Sequence, residues 1–328
     1  MIYDVITFGS ATFDIILYSK EFLVKKVKDK KFITGQGIFF PFPSKVNLEK
    51  IYFFTGGGGT NVAASLASQG FKVAYCGIVG KDLAGKEIIS DLKKFRVETK
   101  FVFQTKAKPT NHSIVIVANK DRTCLVFRGA SELLTKKLIP WSKLRAKWFY
   151  LAPLSGKLAF LFDDLVNFAK KNKIKVFANP GHSQLKLGLK RLKPILEKID
   201  ILLLNQEEAS FLTKIPYQKE REIFKKIDEF VPGIFIMTKG REGAVVSDNK
   251  NLWRAKPKDV KVLDKTGAGD AFGSGFLAGI LKKGDIEFAL QMAIANASAC
   301  LQKIGAKEGI LRKGEKFEKV KIKKEKLK

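Results

Sequence analysis

The sequence predicts an α/β protein built on a doubly wound, mostly parallel sheet flanked by helices, with a small β-sheet lid. Two observations carry this expectation. Short β-branched or apolar runs alternate with segments of helical period, an order that feeds a parallel sheet. Two stretches, about 15–55 and 101–128, break that rhythm with alternating, aromatic-rich segments and turn signals but no helix, and read as strands of a second, smaller sheet.

The first strand is expected at Val5-Ile6-Thr7-Phe8, ended by Gly9, and later buried strands at Val73 to Ile78, Trp148 to Ala152, Lys175 to Ala178, Ile201 to Leu204 and Ile234 to Met237. Helices are expected over Thr60 to Gln69, Gly85 to Phe95, Leu158 to Asn172, Lys219 to Phe230, Ala268 to Lys282 and Ile286 to Leu301, where apolar residues recur every three or four positions. Lid strands include Ser113 to Val117 and Thr123 to Phe127. The chain then reads as one domain over 1–310, with 311–328 a basic tail or a last strand.

At 328 residues and 45% hydrophobic content the chain can bury a large core, which excludes general disorder. No apolar run is long enough to span a bilayer, and Asp4 stands where a signal peptide needs basic residues. Cys76, Cys124 and Cys300 lie far apart and the histidines are His112 and His182, too few for a disulfide scaffold or a zinc site. These features predict a cytoplasmic protein without a membrane partner. The net charge of +29 raises nucleic acid as a partner, but lysines are spread along the whole chain, as on solvated helix faces, and no basic motif is interleaved with aromatics. No specific nucleic-acid partner is expected; phosphate-bearing ligands would still be attracted.

Two glycine-rich motifs carry the chemistry. Gly267-Ala268-Gly269-Asp270 follows Asp264-Lys265-Thr266 and runs directly into a helix. Glycines there leave the first helical amides open to an anion, and a carboxylate in the first turn is suited to accept a proton from an attacking hydroxyl. Taken alone, the motif reads equally as a packing turn with Asp270 as an ordinary cap. Gly56-Gly57-Gly58-Gly59-Thr60-Asn61 precedes another helix, with Asn61 offering a donor and an acceptor to a polyol; alone it reads rather as a capped flexible turn.

In order and separation the two motifs resemble those of the PfkB, or ribokinase-like, family of carbohydrate and nucleoside kinases, and the resemblance spans about residues 4–310. It implies that Gly56, Gly57, Gly58 and Asn61 bind a sugar, with Asp14 after the first strand touching its hydroxyls. Gly267, Ala268, Gly269 and Asp270 would form the anion hole and catalytic base. It further implies that Asn205 and Glu208 place magnesium and phosphate, Glu208 acting through water, that Thr238, Gly240 and Gly243 form a nucleotide loop, and that Asn296 lies near the adenine. ATP and Mg2+ would be required, K+ could be held near Asp264 and Thr266, and the lids would pair two copies into a homodimer.

Departures bear on the acceptor. Lys265 stands where Thr is common, no acid follows Tyr150, and Asn179-Pro180-Gly181-His182 keeps a polar contact at Asn179 but lacks the acid of many sugar kinases. Phe39, Phe40, Phe42, Phe101, Phe103 and His112 are expected as lid aromatics. The activity implied is phosphoryl transfer to a hydroxyl of a sugar or sugar-containing molecule, with a nucleoside as the alternative acceptor and a non-catalytic sugar- or nucleotide-binding protein as a further alternative.

Overall fold

A computed structural model describes residues 2–29, 32, 34–119 and 121–327. Among these, ten strands form the larger sheet. Seven run parallel, in the spatial order Ile234–Thr238 (β13), Ile201–Asn205 (β12), Lys175–Ala178 (β11), Ala146–Leu151 (β10), Tyr3–Phe8 (β1), Val73–Gly80 (β6) and Val102–Thr105 (β7). Antiparallel strands Ala244–Ser247 (β14), Asn251–Ala255 (β15) and Ile322–Lys326 (β16) extend it beyond β13. The doubly wound architecture predicted from the alternation is the one observed.

Alternation along each strand divides the core into two layers. In β10, Trp148 and Tyr150 face one layer, while Phe149 and Leu151 face the other. The first layer is roofed by Gly58–Ser68 (α1), Leu83–Lys94 (α2), Ala268–Lys283 (α8) and Ile286–Leu301 (α9). The second is roofed by Phe162–Lys171 (α3), the single turn His182–Leu185 (α4), Gly188–Leu196 (α5), Gln206–Thr213 (α6) and Glu220–Asp228 (α7). Every residue of β6 is buried, as expected for a parallel strand covered on both faces. The helices α8 and α9 form a tight hairpin because Gly284 closes α8 in the left-handed region (φ 74°) and the adjacent Asp285 caps α9 through the Phe288 amide at 2.8 Å. Among the described residues no helix is long and apolar enough to cross a membrane.

A second sheet of four strands stands apart, in the order Lys50–Gly56 (β5), Thr12–Tyr18 (β2), Asn111–Ala118 (β8), Asp121–Phe127 (β9), with a small hairpin of Leu23–Lys26 (β3) and Gln36–Phe39 (β4). One expectation is corrected here: residues 101–105 do not join this sheet. Val102–Thr105 form β7, which pairs parallel with β6, and Phe101 just before it is 2% exposed in the main core with Phe103 packed on it. The reason is connectivity, since β6, α2 and β7 make a crossover unit, and a short apolar strand alone does not reveal its neighbour.

Phe149 is fully buried, with its ring 4.9 Å from Phe8 edge-on and 6.1 Å from Phe168. Phe149→Ala should lower the unfolding free energy by about 3–5 kcal/mol in urea titrations, the usual cost of emptying such a site.

Candidate active site

Two helix N-termini meet at the carboxyl edge of the parallel strands, the place where open α/β sheets bind ligands. The start of α1 lies against the turn after β1, with Gly9 and Gly59 so close that a Cβ on Gly9 would lie 2.7 Å from the Gly59 nitrogen; Gly9 also has a φ of 153°. Beside it begins α8. The Asn61 Nδ2 donates to Asp270 Oδ2 at 2.8 Å, joining the two predicted motifs across 209 residues. Asn61 Oδ1 is buried without a partner among the described residues. A Cβ on Gly58 would lie 3.3 Å from Asp270 Oδ1, so the glycine keeps the space over that carboxylate open. Burial raises the Asp270 carboxyl above its ordinary range, opposed by the Asn61 bond.

Asp14 enters the same bowl from β2 and lies against Gly56, where any side chain would collide with it. Only 8% exposed, it is pushed up to about 6 by burial, against a hydrogen bond from Ser113 and the charge of Lys307. That lysine, which sequence reasoning missed, is 5% exposed and donates to Thr55 Oγ1 at 2.7 Å and Asp91 Oδ2 at 2.9 Å, tying the segment after α9 to β5 and α2. Among so many lysines nothing in its local sequence marks it. Tyr150 was missed likewise: its hydroxyl is buried without a partner among the described residues, below α8 beside Gly273, and is raised first by burial and then by the Asp270 charge.

Gly267 begins α8 in the left-handed region at φ 77°, packed against Ala306. The first amides of α8 have no intrahelical acceptors, and Gly269 faces open space. Ahead of it, Asp264 Oδ1 accepts from the Thr266 amide at 2.9 Å and hydroxyl at 2.7 Å, and Oδ2 accepts from the Gly305 amide at 3.1 Å. The Arg122 guanidinium, from β9 of the second sheet, also donates to Asp264 Oδ1 at 2.6 Å and to Thr266 Oγ1 at 2.7 Å. The side-chain oxygens expected to hold a monovalent cation are thus bonded to a guanidinium.

A cavity of about 570 Å³ runs from Thr238, Gly240 and Gly243 to Ala268 and Gly269. Val260, Val262, Ile294, Ala297 and Leu301 make its apolar part, while Arg241, Lys258 and Lys265 bring positive charge. Such a lining suits a flat aromatic group carrying phosphates. Asn205 and Glu208 cap α6 reciprocally: Glu208 Oε2 accepts the Asn205 amide at 2.9 Å and Asn205 Oδ1 the Glu208 amide at 2.8 Å. Burial raises the Glu208 carboxyl against the hydrogen bond from the Asn205 amide, and among the described residues no cation is paired with it. Asn179 sits after β11 and donates to the Leu203 carbonyl at 2.9 Å.

Asn296 requires a correction. Rather than lining the cavity, it is 1% exposed and spends its amide on Ser65 Oγ at 3.0 Å, the Ala271 carbonyl at 2.7 Å and the Leu311 amide at 2.8 Å. It lies one position from Ala297, on the inner face of α9, and the residues of this helix that reach the cavity are Ile294, Ala297, Ser298 and Leu301. Of the expected lid aromatics, Phe40 and Phe42 are exposed, and the His112 ring stands 5.8 Å from Phe13 on the outer face of the second sheet.

Residues 4–313 match the pfkB family carbohydrate kinase model. An uncharacterized sugar kinase of Archaeoglobus fulgidus is 30% identical over 250 residues, covering 75% of this chain and 98% of that protein. Among solved structures, Arabidopsis thaliana ribokinase complexed with ribose and ATP has a TM-score of 0.77 at 22% identity, covering 94% of this chain and 96% of that one. A putative ribokinase II of E. coli in complex with ATP and Mg2+ has a TM-score of 0.78 at 20% identity, covering 95% and 96%.

The buried Asp14 carries a pH signature. Its carboxyl is raised from 3.8 to about 6, so its ionisation adds no cost while it is protonated in both states and an increasing one as pH climbs through that window. Asp14→Asn should therefore unfold at the same denaturant concentration as the unaltered protein near pH 3.5, yet be more stable by about 3 kcal/mol at pH 7, in parallel urea titrations.

Proposed function

Because the chain belongs to the pfkB family of carbohydrate kinases, we propose that it transfers the γ-phosphoryl group of ATP to a hydroxyl of a sugar or sugar-containing small molecule, with Asp270 as general base and the amides of Gly267–Asp270 as the anion hole. The observation that carries this reading is the position of Asp270: its carboxylate is bonded to Asn61 and overlooked by Gly58 on one side, and its own helix start lines the large cavity on the other. Acceptor and donor sites therefore share one wall.

The acceptor would bind in the bowl of Gly56, Gly57, Gly58, Asn61 and Asp14, its hydroxyls bonding to the Asn61 and Asp14 side chains, with Asn179 at the margin. The nucleotide would fill the cavity, its base among Val260, Val262, Ala297 and Leu301, and its phosphates near Gly240, Gly243 and Lys265. Asp270 takes the proton as the acceptor oxygen bonds to phosphorus, the bond to the ADP oxygen breaks, and the α8 amides stabilise charge on the transferred group. Glu208 is a half-buried carboxylate with no cation paired to it among the described residues and one oxygen left over from the α6 cap, which suits magnesium held through water, beside Asn205. When bound, the ion would neutralise charge between the phosphates. The second sheet would act as a lid that excludes water during transfer. Cys76 and Cys300 are buried and Cys124 exposed, all three unpaired, which supports a cytoplasmic site of action.

The outer face of that sheet supports a homodimer. Strand registers put Phe13, Ile15, Ile51, Phe53, Leu125 and Phe127 on one side, with Phe53 56% and Leu125 52% exposed. A continuous apolar face of this kind is usually covered by a partner, here a second copy.

Asp270→Asn should reduce kcat by about 10²-fold or more while leaving ADP affinity near that of the unaltered protein, measured by ADP release across hexoses, pentoses, sugar phosphates and nucleosides and by calorimetry. Comparable turnover in the variant would remove Asp270 from the mechanism, and a nucleoside as the best acceptor would replace the sugar reading. Phe53→Asp should convert a dimer to a monomer in light scattering; an unchanged mass would remove the outer face as the interface.

A further inference from the structure

The Arg122 guanidinium occupies an unusual position. It extends from β9, which among the described residues is the edge strand of the second sheet and pairs with β8 alone. The registers place Arg122 on the inward face with Cys124, Ser113 and Asp14, and from there it reaches the loop that immediately precedes the α8 amides. Its contacts are short and charge-assisted: 2.6 Å to Asp264 Oδ1 and 2.7 Å to Thr266 Oγ1. The Asp264 side chain is only 8% exposed, and its two oxygens already accept from the Thr266 amide and hydroxyl and from the Gly305 amide. Asp264 therefore holds together three segments: the anion loop, the turn after α9, and, through Arg122, the second sheet.

We propose that Arg122 is a positioning residue that serves as the built-in cation of this loop, so that the shape of Gly267–Asp270 depends on closure of the second sheet rather than on a dissolved monovalent ion. The side chains at Asp264 and Thr266 do not fit a potassium ion while the guanidinium is present. A cation there would need the oxygens that Arg122 now engages and would be repelled by a charge that stays on the side chain at any pH the protein tolerates. An ion arrives from solution whether the site is open or closed, whereas a charge carried on a lid strand arrives only when the lid is over the site. Ordering of the amide cradle thereby becomes coupled to enclosure of the acceptor, which limits transfer to water. Both contacts are made by the one nitrogen Nη1, so a lysine would supply the same charge, but as a compact and more strongly hydrated ammonium on a different stem.

Two measurements test this, at constant ionic strength in potassium chloride and in tetramethylammonium chloride. The first is amide hydrogen exchange of peptides covering Thr266 and Gly305 in the ligand-free protein, which does not depend on the kinase reading. Exchange should be the same in both salts for the unaltered protein. In Arg122→Ala it should be about tenfold faster in tetramethylammonium, with protection partly restored by potassium. The second, which rests on the kinase reading, is turnover with the acceptor identified by the panel. The unaltered protein should be indifferent to potassium, while Arg122→Ala should lose roughly tenfold or more in kcat and regain part of it with potassium, and Arg122→Lys should fall between. Potassium-dependent protection or turnover in the unaltered protein would overturn the proposal. So would exchange in Arg122→Ala that matches the unaltered protein. Absence of turnover with every acceptor would overturn the kinase reading and leave the exchange result to decide the role of Arg122.

Discussion

Everything at this site depends on how closely α1 and α8 approach one another at the edge of the sheet. Their contact is polar and buried: Ser274 Oγ donates to Ser65 Oγ at 2.8 Å, and the Asn296 amide bonds to Ser65, Ala271 and Leu311. Such a network is stabilising only when every member is satisfied, and these members are. It holds the two helix starts in a register that brings Asn61 to Asp270. Glycine lets α9 in turn pack closely on α8, where Gly275 and Gly279 lie against Ala293 and Ala289. Asn296, expected beside a nucleotide base, thus does its work one layer back by fixing the helix that carries Asp270.

The same region concentrates acidic groups against their electrostatic preference. Asp14, Asp264 and Asp270 lie near enough that the charges of Asp264 and Asp270 both raise Asp14. The fold offsets this in different ways. Asp264 receives a guanidinium and three further donors, Asp14 has Ser113 and the field of Lys307, and Asp270 has one amide, from Asn61. Among the described residues the least compensated of the three carboxylates is Asp270, in the first turn of α8, and a carboxylate with few donors keeps more of its basicity than a fully satisfied one.

Most of the remaining charge is structural background. With 61 basic and 32 acidic residues, many lysines have no acidic partner, and the ion pairs that form are mainly exposed and contribute little. One local use is clear at the sheet edge, where β16 reads Ile322-Lys323-Lys324-Glu325-Lys326 and presents lysines where an unprotected edge would invite pairing. At the cavity, Arg241, Lys258 and Lys265 are lining cations, with Asp259 beside them.

The amino-acid sequence by itself determined the layered fold, because the period of apolar residues is local: α9 and β11 fall at the residues the periodicity predicts. It also determined the two glycine-rich turns, since a glycine ahead of a helix is legible without knowing its neighbours. What only the tertiary structure decided are relations between distant segments. Phe101 belongs to the main core because β7 follows a crossover from β6, and Asn61 meets Asp270 across 209 residues. Arg122 and Lys307 could not be singled out, since one basic residue resembles another in a chain this rich in them. Their roles arise from strand register and helix packing, which bring a side chain 142 positions away onto Asp264 and another 216 positions away onto Asp91. Long-range electrostatic pairing leaves no periodic trace in sequence, so it becomes visible only once the chain is folded.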